Sequence, residues 1–110
     1  MNSKLIVVIA TGDREKALAG LMYARNVLKY RWLDDIKVVF FGPSEKLAAH
    51  DEKVAGSIKE IAEKSDCFAC KAISDREGVS EILEKAGMRV EYVGDIVSEA
   101  IKEGYLPMVW

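Results

Sequence analysis

Two cysteines, Cys67 and Cys70, stand three positions apart in the stretch from Ser65 to Gly78 and are the chain's only two. The C-x-x-C spacing serves redox pairs, metal half-sites and reactive thiols. A redox pair must bring its sulfurs together, which thioredoxin-like motifs achieve by opening a helix with the first cysteine. Here the apolar run from Cys67 to Ile73 predicts a strand. Three extended steps span roughly 10 Å, whereas a disulfide needs Cα atoms within about 7 Å. Side chains at i and i+3 of a strand also point to opposite faces. A Cys67–Cys70 disulfide therefore requires the strand to end early. A zinc site lacks donors: His50 is the one histidine, read as a surface residue, and no second cysteine pair exists. No metal or organic cofactor is expected.

The two thiols then separate. Cys67 begins the predicted strand and reads as a small buried hydrophobe. Cys70 lies near its C-terminal end. Ser74-Asp75-Arg76-Glu77 fits the capping-box pattern of a helix start. A helix N-terminus, with Arg76 or Lys71 nearby, favours a thiolate, while Asp75 and Glu77 oppose it. The residues alone leave Cys70 open between a reactive thiol and a core position.

The elements that must position these groups alternate along the chain. Leu5–Ala10, Lys37–Phe41, Cys67–Ile73, Met88–Val93 and Leu106–Trp110 read as strands, with Pro107 placing the last at an edge or making its start irregular. Between them run helical stripes: residues 13–33 with Asp13 as N-cap, a short turn from Ser44 to Leu47, residues 51–64, a helix from Val79 to Gly87, and one capped by Asp95 and closed by Gly104. This order predicts an α/β fold, a three-layer α/β/α domain around a mainly parallel five-stranded sheet. Ligands bind such folds beyond the C-terminal strand ends. The candidate binding residues in those loops are Gly12, Asp13, Gly42, Ser44 and Arg76, with Cys70 as the candidate nucleophile. Thr11-Gly12-Asp13 lacks the glycine and Lys-Ser/Thr pattern of a phosphate loop, so a tight turn with an N-cap is the favoured reading there.

Composition narrows the function classes. The chain has 110 residues, enough for one domain to bury a core without staples. Its net charge of −2 comes from 16 basic and 18 acidic residues, interspersed, so neither a nucleic-acid footprint nor a polybasic membrane patch is expected. The early apolar run is far short of a membrane span and lacks the features of a signal peptide, which makes the cytoplasm the expected compartment.

The run from Cys70 to Val79 resembles the segment around the sulfur-carrying cysteine of the DsrE/DsrF family, in which a cysteine closes the third strand and a glycine-hydrophobic pair follows; Gly78-Val79 falls at that place. The first strand with Asp13 and Glu15-Lys16-Ala17, and Phe40-Phe41-Gly42-Pro43-Ser44 with Leu47, are similar to that family's first and second strand loops. The likeness covers nearly the whole chain and implies a single domain over residues 1–110. It implies an assembly of copies, with a homo-oligomeric trimer somewhat ahead of a dimer or hexamer. Tyr30, Trp32, Tyr105, Leu106 and Trp110, bulky groups near element ends, add a second motive for assembly. The resemblance also implies that Cys70 accepts sulfane sulfur as a persulfide from a donor protein and yields it to an acceptor. The competing class is a non-catalytic oligomeric binding module using the cleft around Cys70 for a small ligand or protein partner.

Overall fold

The structure, a computed structural model, describes residues 2–110. Strands β1 (Lys4–Ile9), β2 (Asp35–Phe40), β3 (Cys67–Cys70), β4 (Arg89–Glu91) and β5 (Leu106–Val109) form one sheet in the order β4-β3-β2-β1-β5, and each adjacent pair is parallel. The central strands β1, β2 and β3 are apolar and largely buried on both sides, as parallel strands require, whereas the edge strands β4 and β5 are half-buried or exposed. Leu5, Val7 and Ile9 of β1 pack into the layer formed by helices α1 (Arg14–Tyr30), α2 (Ser44–His50), α3 (Glu52–Ala62) and α5 (Ser80–Lys85). Ile6 points the other way, toward α6 (Val93–Lys102) and Ile73 of α4 (Lys71–Glu77). The result is the α/β/α arrangement that the alternating pattern predicts.

Local chemistry explains the main helix. Asp13 caps α1, accepting from the Lys16 N–H at 3.1 Å. Ala17, Leu21, Ala24 and Val27 form its buried stripe. Gly20 is required by packing, because a Cβ there would come within 2.7 Å of the Trp110 ring and 2.8 Å of Ile9. Arg31 ends the helix in the left-handed region, φ 53°.

Several boundaries differ from the sequence reading. The third strand stops at Cys70 rather than Ile73. Its outer neighbour β4 has only three residues, and the ladder ends at the Cys70–Glu91 pair. Lys71 and Ala72, good helix formers, then begin α4 at once. Ser74-Asp75-Arg76-Glu77 accordingly lies inside α4 and does not open a helix. The Ser74 hydroxyl instead bonds the Lys71 carbonyl at 3.3 Å and the Ser80 hydroxyl at 2.7 Å, clamping α4 to α5. Asp95 is likewise not a cap: Tyr92 is the N-cap residue of α6, and Asp95 sits in the first turn, where its charge still suits the helix dipole. The short turn after Ser44 is a full helix reaching His50, which is exposed. Of the five bulky groups, Tyr105 is buried and Trp110 packs against the larger core within the same chain. Tyr30 and Trp32 stack on each other at 5.7 Å yet remain exposed, and Leu106 is 71% exposed. Among the described residues no helix is long and apolar enough to cross a membrane.

Candidate functional site

The strand order sets the ends of β1, β2 and β3 side by side, so the loops that follow them form one edge of the molecule. At the end of β1 the N–H groups of Ala10 and Thr11 both donate to the Trp110 carbonyl, at 2.8 and 3.1 Å. The Asp13 N–H donates to the Thr11 hydroxyl at 3.0 Å. These donors are engaged within the chain and offer no open cradle to an anion. Gly12 lies against Pro43, whose Cβ would be 3.1 Å from a Cβ at Gly12. Asp13 serves α1 as its cap.

At the end of β2 the backbone turns sharply through Gly42, φ 101°, a conformation open to glycine and strained for other residues. Ser44 follows, fully buried, its hydroxyl donating to the Ile9 carbonyl. That bond ties α2 to the end of β1. The sequence-predicted residues Gly12, Gly42 and Ser44 are thus brought together as the framework of the edge. Arg76 is not part of it: its side chain is 72% exposed on α4, 3.9 Å from Glu77.

The residue that sequence reasoning missed is Glu45. Its side chain is fully buried, a rare state for a carboxyl group. Oε2 accepts from the Gly42 N–H at 3.2 Å. The Cys70 backbone N–H adds a weaker favourable interaction. Oε1 is buried with no hydrogen-bond partner, an omission that costs about 1–3 kcal/mol in a typical interior. Burial pushes the Glu45 carboxyl up to about 7; the Gly42 and Cys70 N–H groups pull it down, Glu77 adds to the rise and Arg76 opposes it. A sequence signal existed. Glu45 shares a helical face with Ala48 and Ala49, directly after the turn that ends a central strand.

Cys70 closes β3 and is the residue from which α4 starts. Its side chain lies in the α6 layer with Val39, Phe68 and Val93, and is 6% exposed. Cys67 points into the opposite, larger core and is 1% exposed. Both thiols are free. Burial alone pushes the Cys67 thiol up to about 12, which makes it inert at neutral pH. The two cations expected near Cys70 face carboxylates instead: Lys71 binds Asp75 at 3.1 Å, and the exposed Arg76 lies 3.9 Å from Glu77, which also binds Lys46 of α2 at 3.1 Å. Among the described residues no group of three or more His, Cys, Asp or Glu side chains is placed to hold a metal ion.

No protein-family model matches the sequence, and no curated protein matches it significantly. Solved structures do share its fold. The conserved protein of unknown function BT1422 from Bacteroides thetaiotaomicron is 26% identical, with a TM-score of 0.85 over 97% of this chain and 95% of its own. The protein of unknown function MTH1491 from Methanobacterium thermoautotrophicum is 19% identical, with a TM-score of 0.77 over 99% of this chain and 100% of its own. The ychN protein from E. coli is 13% identical, with a TM-score of 0.75 over 97% and 99% respectively. The last two establish likeness of fold alone.

The buried carboxyl makes a prediction about stability. In an unfolded chain Glu45 ionises near 4.5, and in the folded chain near 7. The folded state therefore holds a proton that the unfolded state has lost. Stability falls as pH rises through that window, by about 3 kcal/mol, and levels off above it. Asp51 and Asp75, whose carboxyls are held below the usual range chiefly by hydrogen bonds, act with the opposite sign and only at more acidic pH. Glu45→Gln should flatten the fall between pH 4.5 and 7 in urea unfolding followed by circular dichroism. An unchanged slope in the variant would place the titrating group elsewhere.

Proposed function

We propose that this chain is a sulfur carrier in which Cys70 accepts sulfane sulfur as a persulfide and passes it to a partner thiol. The observation that carries the reading is the position of Cys70 as the last residue of β3, at the edge of the sheet where doubly wound folds do their chemistry. The resemblance of the Cys70–Val79 segment to the DsrE/DsrF family supports the same assignment. In the first step the Cys70 thiolate attacks the outer sulfur of a donor, the donor's S–S bond breaks, and the donor thiolate leaves. In the second, an acceptor thiol attacks the outer sulfur now on Cys70 and restores the thiol. The chemistry draws only on thiols and disulfur bonds. Shielding by Val93 and Phe68 keeps water and oxidants from a stored persulfide, and docking of a partner at the β3–α4 junction would expose it.

Incubation with inorganic polysulfide, followed by intact-mass and peptide mapping, tests this directly. The expected product is one sulfur atom heavier and carries the addition on Cys70. Cys70→Ser abolishes it, while Cys67→Ser keeps it at some loss of stability, about 1–3 kcal/mol, from a buried hydroxyl without a partner. Addition on Cys67 would contradict the assignment. A pair inert to polysulfide would favour the non-catalytic binding module instead.

The carrier is also proposed to work as a homo-oligomer, a trimer ahead of a dimer or hexamer. Leu106 and Val109 lie 71% and 67% exposed along β5, a strand with one unpaired edge. Soluble chains avoid such an apolar edge unless it is covered. Sedimentation at micromolar concentration should give a multiple of the single-chain mass. Sedimentation as a single chain would count against assembly.

A further inference from the structure

Helix α2 is lightly fastened at the ends of β1 and β2. It has seven residues, and Pro43 at its N-cap makes no side-chain capping bond. Its buried side chains are Ser44, Glu45 and Ala48, of which one is apolar, while Leu47 and Ala49 are partly buried. The Ser44 hydroxyl donates to the Ile9 carbonyl, and Lys46 pairs with Glu77 of α4 at 3.1 Å. Lys46 is exposed, and an ion pair of that kind contributes little. The backbone changes direction at both ends of the helix, at Gly42 with φ 101° and at the extended Asp51 between α2 and α3. A short segment with so little apolar burial opens ahead of the core.

The remaining fastening is the Glu45 carboxyl, which sits inside this joint. Oε2 accepts from the Gly42 N–H at 3.2 Å, and Oε1 is buried without a partner. No cation is paired with Glu45 among the described residues. From α4, Glu77 disfavours its ionisation and the largely exposed Arg76 opposes that effect. On α3, Asp51 is bound by Arg14 and caps its own helix. The α5 carboxylates Glu81 and Glu84 are exposed. On α2 itself Lys46 is held by Glu77, and His50 stands exposed at the far end. A neutral carboxyl is tolerated in such a place, whereas an ionised one lacks both water and a counter-charge. Opening of α2 restores the water. We propose that α2 is a pH-gated flap: Glu45 in its neutral form latches the helix onto the sheet edge, and Glu45 in its ionised form releases it to swing about Gly42 and Asp51. Burial pushes the carboxyl up to about 7, against 4.5 in water, and this fixes the sign. The latch holds at acidic pH, loosens as pH rises from 4.5 toward 7, and is fully lost above that window. The released state uncovers the ends of β1 and β2, the edge where ligands reach such sheets. The device acts independently of any chemistry at Cys70.

Hydrogen exchange read by mass spectrometry on the full chain tests this, from about pH 4.5 to about pH 8, with rates corrected for the intrinsic pH dependence of amide exchange. Peptides covering residues 42–51 are compared with peptides from β1. In the wild type, the α2 amides should exchange faster than those of β1 at every pH. Their opening constant should rise about 100-fold across the range and level off above neutral pH. Glu45→Gln should flatten that rise, and His50→Gln should leave it unchanged. If Glu45→Gln fails to fold, Glu45→Met, of similar length and without a charge, should give the same flat profile. The wild-type comparison needs no variant: α2 amides as well protected as those of β1 would show that the helix opens only with the whole molecule, which overturns the proposal. A rise that survives in Glu45→Gln or Glu45→Met overturns it too, as does a rise that disappears in His50→Gln.

Discussion

A strand buried on both faces must send successive side chains into opposite layers, and the whole arrangement around the cysteines follows from that alternation. In β3 all four side chains are buried, so no position is left to solvent. Cys67 and Ala69 complete the core beneath α1, α3 and α5; Phe68 and Cys70 complete the layer beneath α6. The C-x-x-C spacing, which on a helix start would join two sulfurs, here separates them by the thickness of the sheet. One sulfur becomes packing, and the other arrives at the point where the strand turns into a helix.

The second constraint is the buried charge beside that point. Gly42 lets the chain fold back after β2, Ser44 fixes the start of α2 to β1, and the next residue is thereby carried inward. The carboxyl gains the Gly42 N–H but loses water on every side. Loss of water outweighs the hydrogen bonds and pushes its titration up to about 7. An apolar residue at this place would remove an unsatisfied oxygen. Local stability and the presence of a carboxyl therefore pull in opposite directions at the one edge of the sheet where chemistry is expected.

The layered architecture was legible because period and length agree. Leu5–Ala10 is short, continuous and β-branched and is followed by a turn, as a doubly buried strand is, and the Ala17–Leu21–Ala24 stripe has the spacing of a helix facing a core. The end of β3 was not legible, since Lys71-Ala72-Ile73 continues the apolar run and its helical state depends on the short partner β4. The Ser74–Glu77 motif misled for a related reason: a capping pattern is local, whereas Ser74 is engaged by Ser80 across a helix junction. At the site, Cys70 stood out by type and spacing. Gly12, Asp13, Gly42 and Ser44 were placed at the correct edge, but their roles there are a turn, a cap, a backbone reversal and a tether. Glu45 escaped notice because a glutamate in a polar, charged stretch reads as surface until the fold shows which way its helix faces.

The account stands on the claim that the fold makes two neighbouring thiols chemically unlike. Limited alkylation of the native protein near neutral pH, with the two cysteine positions quantified by mass spectrometry, measures this most directly. Cys70 should be modified well ahead of Cys67, because local opening at the strand-to-helix junction exposes it while Cys67 opens only with the core. Cys67 should become reactive only on unfolding. Equal modification in the folded state, or faster modification of Cys67, would contradict the account.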